Sequence, residues 1–87
     1  MENEKQILKK VKENGMFLKY VEDQTGKICM AAVQQNGMAL EFVEDQTEEI
    51  CREAVRQNPN ALQYVKNKTP EIYLEAGYDL GAQHIPF

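Results

Sequence analysis

The stretch NGMFLKYVEDQTGKICMAAVQQ, residues 14–35, determines how this chain folds, because two further copies follow it directly. Residues 36–57 read NGMALEFVEDQTEEICREAVRQ and are identical to the first copy at 14 of 22 positions. Residues 58–79 read NPNALQYVKNKTPEIYLEAGYD and keep nine of the 22 positions of the second copy. Self-similarity at a fixed step is the signature of a repeat architecture.

Each copy predicts a short first helix followed by a second one. In the first copy, Leu18 and Val21 recur at helical spacing and predict a helix of about two turns. Thr25 predicts the N-cap of the second helix, because its hydroxyl can accept a hydrogen bond from a backbone N–H of the first turn. The second helix ends at Asn36 or Gly37, either of which can adopt a left-handed cap conformation. Its apolar stripe consists of Ile28, Cys29, Ala32 and Val33, repeated as Ile50, Cys51, Ala54 and Val55.

The remaining capping signals agree with this division. Thr47 and Thr69 occupy the N-cap position in the later copies, and Pro70 follows at the first helical position, where proline is favoured. Asn3 and Gln6 have the spacing of a capping box and predict one further helix before the first full copy.

These signals predict an all-α fold, a short α-solenoid-like stack of about seven helices. Helices this short are marginal in isolation, so their stability has to come from stacking. The predicted units of this single domain are a half repeat (1–13), three helical-hairpin repeats (14–35, 36–57 and 58–79) and a C-terminal tail (80–87).

The repeated pattern NG-x-x-L-x-[YF]-V-x-[DN]-[QK]-T-x-x-I-[CY]-x-x-A-V resembles the short helical repeats of the domain of unknown function 4116. The resemblance covers residues 14–76. It implies an all-helical array without an assigned activity, and an origin in bacteria, phages or large viruses. The chain departs from the pattern at Gly77, where valine is expected, so the array is predicted to end there.

The charge of the chain argues against two classes of partner. Ten basic and fourteen acidic residues give a formal net charge of −4, and residues 28–58 alone carry six acidic residues against two arginines. Nucleic acids and anionic membranes are bound mainly through basic residues, so direct binding to either is not expected. The N-terminus lacks the apolar segment of a signal peptide, which predicts a cytoplasmic protein, in the host cytosol if the chain is viral.

No constellation of residues predicts an enzyme. Cys29 and Cys51 lie at equivalent positions of neighbouring copies, too far apart for a disulfide in stacked helices, and Tyr73 fills the third such position. Both cysteines are predicted to be buried, reduced thiols. His84 is the only histidine, the chain has no serine, and two Asn-Gly pairs are explained by helix junctions. We therefore expect no catalytic residues, no metal site and no cofactor.

Two polar rows are the candidate partner-binding surfaces. Acidic pairs recur at one repeat position and predict an acidic edge that either is merely solvated or docks a basic partner. The second row consists of long amide and guanidinium side chains, which are common in binding surfaces. The candidate binding residues are Glu22, Asp23, Glu44 and Asp45 for the edge, and Gln34, Gln35, Arg56 and Gln57 for the second row.

The C-terminal end of the predicted stack is apolar, with Ile72, Tyr73, Leu74 and Ala76 followed by further apolar residues. Either the tail folds back over this face, using Gly77 and Gly81 as turning points, or two chains meet there as a homodimer. A monomer with a folded-back tail is the preferred alternative. The residues predicted to pack at this end are Tyr78, Leu80, Ile85 and Phe87.

The resulting hypothesis is a non-enzymatic protein–protein interaction module whose partner is an unidentified protein. Two alternatives stay open at this point. One is a small acidic inhibitor that occupies the basic surface of a nucleic-acid-binding or defence protein, and the other is a self-assembling structural repeat protein.

Overall fold

A computed structural model describes residues 3–78 as seven short helices, and no strand occurs in that range. Four are α-helices and three are 3₁₀ helices, and the two types alternate along the chain. In order they are α1 (Glu4–Glu13), η1 (Gly15–Tyr20), α2 (Gly26–Gln35), η2 (Gly37–Phe42), α3 (Glu48–Gln57), η3 (Pro59–Tyr64) and α4 (Pro70–Glu75), where η denotes a 3₁₀ helix. The predicted all-α class and the number of helices are confirmed.

The helices form two neighbouring rows. The α-helices pack α1 on α2, α2 on α3 and α3 on α4, while η1 packs on η2 and η2 on η3. Each 3₁₀ helix also packs against the α-helices before and after it in the chain. The backbone accordingly extends 51 Å in one direction and 19 and 15 Å in the other two. The superhelical geometry of a solenoid stays a prediction.

The predicted N-caps are confirmed. The hydroxyl oxygens of Thr25, Thr47 and Thr69 accept hydrogen bonds from the backbone N–H three residues later, at 3.2–3.3 Å. Pro70 is the first residue of α4. Asn3 and Gln6 form the complete capping box, each side chain accepting from the other residue's backbone N–H.

The first helix of each copy differs from the sequence prediction in type. It is a six-residue 3₁₀ helix, whereas the spacing of Leu18 and Val21 indicates the 3.6-residue period of an α-helix, and its hydrogen bonds span three residues from the start. The carbonyl of Asn36 accepts from the N–H of Ala39, three residues later, and its side chain accepts from the N–H of Met38. Seven residues after Asn36, at Val43, the chain leaves the helix in an extended conformation.

The prediction of a left-handed cap at Asn36 or Gly37 is wrong. Asn36 is extended, with φ −152° and ψ 108°, and among residues 3–78 only Gly77 has a positive φ, of 97°. The backbone N–H of Asn36 ends α2 by donating to Ala32, while its side chain starts η2. One extended asparagine therefore joins two helices without any left-handed residue. Gly77 has the positive φ of a turn, while the predicted fold-back of the tail lies outside the described residues.

The repeated apolar positions form one continuous core. Leu18 and Leu40 are completely buried, as are Val33 and Val55. Cys29 and Cys51 are 3% exposed, as predicted for the stripe, and the equivalent residues Ile28, Ile50, Ile72 and Tyr73 are also buried. The exposed apolar surface at the C-terminal end is therefore smaller than the sequence predicts, because Ile72 and Tyr73 already belong to the core.

Candidate functional site

A glutamine in the loop before α2, and another in the loop before α3, binds the loop of the next copy. The side-chain N–H of Gln24 donates to the carbonyl of Phe42 at 2.7 Å, and its oxygen accepts from the N–H of Glu44 at 3.1 Å. The thiol of Cys29 donates to the same oxygen at 3.4 Å. One side chain thus satisfies two backbone groups of an extended segment in the following copy and orients a buried thiol.

Gln46 makes the equivalent contacts one copy later. Its N–H donates to the carbonyl of Tyr64 at 2.8 Å, and its oxygen accepts from the N–H of Lys66 at 3.0 Å and from the thiol of Cys51 at 3.3 Å. In the last copy Lys68 stands at this position and donates to the carbonyl of Val65 in its own copy. This contact of one glutamine with the next copy, which we call the glutamine clamp, is therefore made twice. In the last copy, where the repeats end, Lys68 replaces it.

Two equivalent clefts open where these glutamines join neighbouring copies. Every residue that lines the first cleft has its counterpart, 22 residues later, in the second. The first is lined by Gln24, Thr25, Gly26, Cys29, Glu44, Asp45, Thr47 and Ile50, and the second by Gln46, Thr47, Glu48, Cys51, Lys66, Asn67, Thr69 and Ile72, together with Glu44 and Asp45. Glu44 and Asp45 therefore form the wall between the two clefts.

The size of the clefts bears on what they can hold. Their volumes are about 110 and 270 Å³, below the range of about 300–1,000 Å³ that is typical of pockets enclosing a small-molecule ligand. They match single side chains of a docked polypeptide better than a small substrate.

All four carboxylates of the predicted acidic edge, Glu22, Asp23, Glu44 and Asp45, are exposed. The structure brings Glu44 and Asp45 into both clefts, whereas Glu22 and Asp23 line neither. In the last copy Lys66 takes the place of a carboxylate, and its ammonium group donates to the backbone carbonyl of Glu44. The edge is thus centred on Glu44 and Asp45.

The second polar row is largely engaged within the chain. Gln35 accepts from the N–H of Gly15 at 2.6 Å, and Gln57 donates to Glu53. Arg56 pairs with Glu53 at 2.7 Å and with Glu75 at 3.1 Å. Of the four predicted residues, Gln34 and Arg56 line an open groove of about 370 Å³ between α2 and α3.

Glu75 connects the last two α-helices. Arg52 and Arg56 of α3 both donate to its carboxylate. These hydrogen bonds, that from Arg56 first, hold the pKa of Glu75 below its ordinary value. Since all four charges that meet here, those of Arg52, Arg56, Glu53 and Glu75, are paired within the cluster, it is best explained as the attachment of α4 to α3.

The two cysteines are free and buried. Burial raises the pKa of both thiols, and the carboxylates of Asp45 and Glu44 add to the effect at Cys29, as Glu48 does at Cys51. A raised pKa leaves less thiolate, which is the reactive form. The arrangement favours unreactive thiols with a structural role in the lining of the clefts.

We expect both thiols to react slowly with a thiol reagent in the native state, and both to react fully in denaturant. Replacing Cys51→Ala should lower the free energy of unfolding by about 1–2 kcal/mol, because buried volume and the hydrogen bond to Gln46 are lost. Urea unfolding of this variant measures that cost, and labelling it reports on Cys29 alone. Rapid labelling without denaturant would contradict the burial of the stripe.

At the C-terminal end, Tyr78 is half-exposed and its ring packs edge-on against Tyr73, with centroids 5.1 Å apart. Leu74 is also exposed. The predicted packing residues Leu80, Ile85 and Phe87, the turning point Gly81 and His84 lie outside the described residues.

The described residues, 3–78, contain neither a metal-binding cluster nor a helix that could span a membrane. No group of three His, Cys, Asp or Glu side chains in this part of the chain is placed to hold a metal ion. Within the same range, every helix falls short of the length and apolar composition needed to cross a membrane.

Sequence reasoning missed the two glutamine clamps and the clefts they create. The available signal was a polar residue, Gln24 or Gln46, recurring between apolar positions in two copies and changed in the last, at Lys68. A polar residue kept at one phase of a repeat is explained more readily by a contact between copies than by solvation.

Comparison with known proteins gives one match. Residues 27–69 match the family model described as Domain of unknown function (DUF4116). No curated protein and no solved structure matches the chain.

Proposed function

We propose that this chain, whose residues 27–69 belong to the DUF4116 family, is a protein–protein interaction module without catalytic activity. The family is defined by sequence and not by an activity, so the support for this function comes from the surface of the molecule. The observation that carries the proposal is the pair of equivalent clefts on either side of Glu44 and Asp45. A binding surface that is repeated from one copy to the next suits a partner that extends along the rows of helices.

The charge of the clefts indicates a basic partner. The first cleft is lined by two carboxylates, and the second by Glu44, Asp45 and Glu48 against one ammonium group, that of Lys66. The N-terminal ends of α2 and α3 add partial positive charges of about half a unit each, which reduces this negative potential without cancelling it. We propose that lysine or arginine side chains of the partner occupy the two clefts.

The spacing of the clefts suggests the form of the partner. Packed helices lie about 8–10 Å apart, and a polypeptide in the polyproline II conformation has three residues per turn and advances about 3.1 Å per residue. Basic side chains three residues apart in such a segment lie on the same face, so they would reach successive clefts and flank the wall formed by Glu44 and Asp45.

A second candidate rests on the exposure of all four edge carboxylates. A small acidic protein can occupy the basic surface of a nucleic-acid-binding or defence protein and displace the nucleic acid. An inhibitor of that kind would release labelled DNA from its target in a competition assay, whereas a peptide-binding module would leave that complex unchanged. Either role places the chain in the cytoplasm of a bacterial or virus-infected cell, where both thiols stay reduced.

The test is a quadruple change of Glu22, Asp23, Glu44 and Asp45 to their amides. We expect it to weaken binding of a short lysine-rich peptide by about tenfold or more, because each lost carboxylate removes a modest attraction and the effects accumulate. Isothermal titration at low and high salt measures this. The helical circular dichroism signal should not change, since all four groups are exposed.

The matched control removes the same charge elsewhere, by changing the exposed residues Glu13, Glu41, Glu49 and Glu71 to glutamine. Peptides with lysines three residues apart should also bind more tightly than peptides of the same composition with adjacent lysines. Equal loss of affinity in both quadruple variants would show that the net charge matters and the clefts do not.

A further inference from the structure

Two Asn-Gly pairs, Asn14-Gly15 and Asn36-Gly37, stand at the junctions between helices, where they serve the fold and not the clefts. In a flexible chain this dipeptide is chemically unstable. The backbone nitrogen of glycine attacks the side-chain carbonyl carbon of asparagine, the bond to the side-chain nitrogen breaks, and ammonia leaves. Water then opens the cyclic imide, giving aspartate or, through the other carbonyl, an isoaspartyl linkage.

Both junctions restrain the groups that have to react. The side-chain oxygens of Asn14 and Asn36 accept hydrogen bonds from the N–H of Met16 and of Met38, at 3.1 and 3.0 Å. These bonds fix the amide group toward the following helix. Both asparagines have extended backbones, with ψ 100° and 108°.

The backbone nitrogens of the two glycines, which would attack, are also restricted. Gly15 and Gly37 are buried. The N–H of Gly15 donates to the side-chain oxygen of Gln35 at 2.6 Å, and the nitrogen has to lose this proton before it can attack. The third junction lacks the reaction altogether, because Asn58 is followed by Pro59, which has no N–H.

The isoaspartyl product does not fit the junction. It inserts one additional carbon into the backbone between the two residues. At Gly37 the backbone lies so close to α3 that even a Cβ atom would overlap the carbonyl oxygen of Ala54. Aspartate, by contrast, would keep the cap, because its carboxylate accepts the same hydrogen bond.

We propose that Asn14 and Asn36 are latent modification sites, which deamidate when their junction opens and whose isoaspartyl product prevents the junction from forming again. The modification thus marks chains whose junction has opened, and each event at Asn36 that yields isoaspartate removes one chain from the folded population.

The test follows deamidation by peptide mapping and mass spectrometry in mildly alkaline buffer. We expect Asn14 and Asn36 of the native full-length chain to convert at least about tenfold more slowly than in urea, since the reaction requires local opening. Asn58 serves as the internal control and should not form the cyclic imide in either state. Equal rates with and without urea would overturn the proposal.

Gln35→Ala tests the restraint on the nitrogen. We expect it to accelerate conversion of Asn14 selectively, with Asn36 in the same molecule as the reference. Acceleration of both sites to the same extent would show that the hydrogen bond to Gly15 does not provide the protection.

The effect on refolding has its own control. Chains that carry isoaspartate at residue 36, purified after incubation in urea, should fail to regain the native helical signal on dilution. The Asn36→Asp variant should regain it. Full refolding of the isoaspartyl chain would contradict the second half of the proposal.

Discussion

Gly37→Ala is expected to lower the free energy of unfolding by about 3 kcal/mol, although the change adds a single methyl group. The new Cβ would overlap the carbonyl oxygen of Ala54 and approach Asn58 at 3.2 Å. Both neighbours belong to the end of α3 and its junction, so they cannot move without disturbing the helix. Thermal unfolding should show a melting temperature lower by about 15 °C, which is the size of shift that such a loss gives in a small domain.

Gly26→Ala is the matched control. Gly26 is also the first residue of a helix, but no atom lies within 4 Å of its Cβ position. Alanine there should stabilise the chain slightly, by about 0.4–1 kcal/mol, because it restricts the unfolded chain. If the two variants melted together, the close contact between Gly37 and α3 would not exist.

Gln46→Ala is expected to destabilise the chain by about 2–3 kcal/mol. The variant loses hydrogen bonds to Tyr64, Lys66 and Cys51. It also leaves the partly buried carbonyl of Tyr64 without that donor, and such unsatisfied groups cost more than the hydrogen bond contributes. Urea unfolding measures the loss, and faster labelling of Cys51 by a thiol reagent should accompany it.

Lys68→Ala provides the comparison at the same repeat position. Lys68 contacts only the carbonyl of Val65 in its own copy among the hydrogen bonds described, and its side chain is exposed. We expect a change within about 0.5 kcal/mol, as for other surface substitutions. A loss as large as that of Gln46→Ala would mean that the clamp between copies is not the source of the effect.

The helix boundaries could be predicted from the sequence because they depend on local chemistry. Thr25, Thr47 and Thr69 each cap a helix through a neighbour three residues away, and Pro70 marks the first position of α4. The apolar stripes were equally accessible, since burial follows from their period. Such features need no knowledge of what lies across the interface.

The features that could not be predicted depend on distances between copies. Gly37 suggested a left-handed turn because that is the common use of glycine after a helix, whereas here glycine is required by the close approach of α3. In the sequence Gln24 is an ordinary polar residue, and only the structure shows that the extended segment of the next copy lies beside it. The composition of the candidate site was visible in Glu44 and Asp45, but its division into two clefts was not.

The hydrogen bonds that join one copy to the next span only 18–23 residues of sequence. Loops of this length close at a modest entropic cost, and chains dominated by such near-neighbour pairings fold fast for their size. Because α1 does not contact α3 or α4 within the described residues, no contact has to wait for the whole chain to assemble. During synthesis on a ribosome the stack would therefore grow copy by copy, each new copy becoming stable as it completes the interface that the preceding one presents.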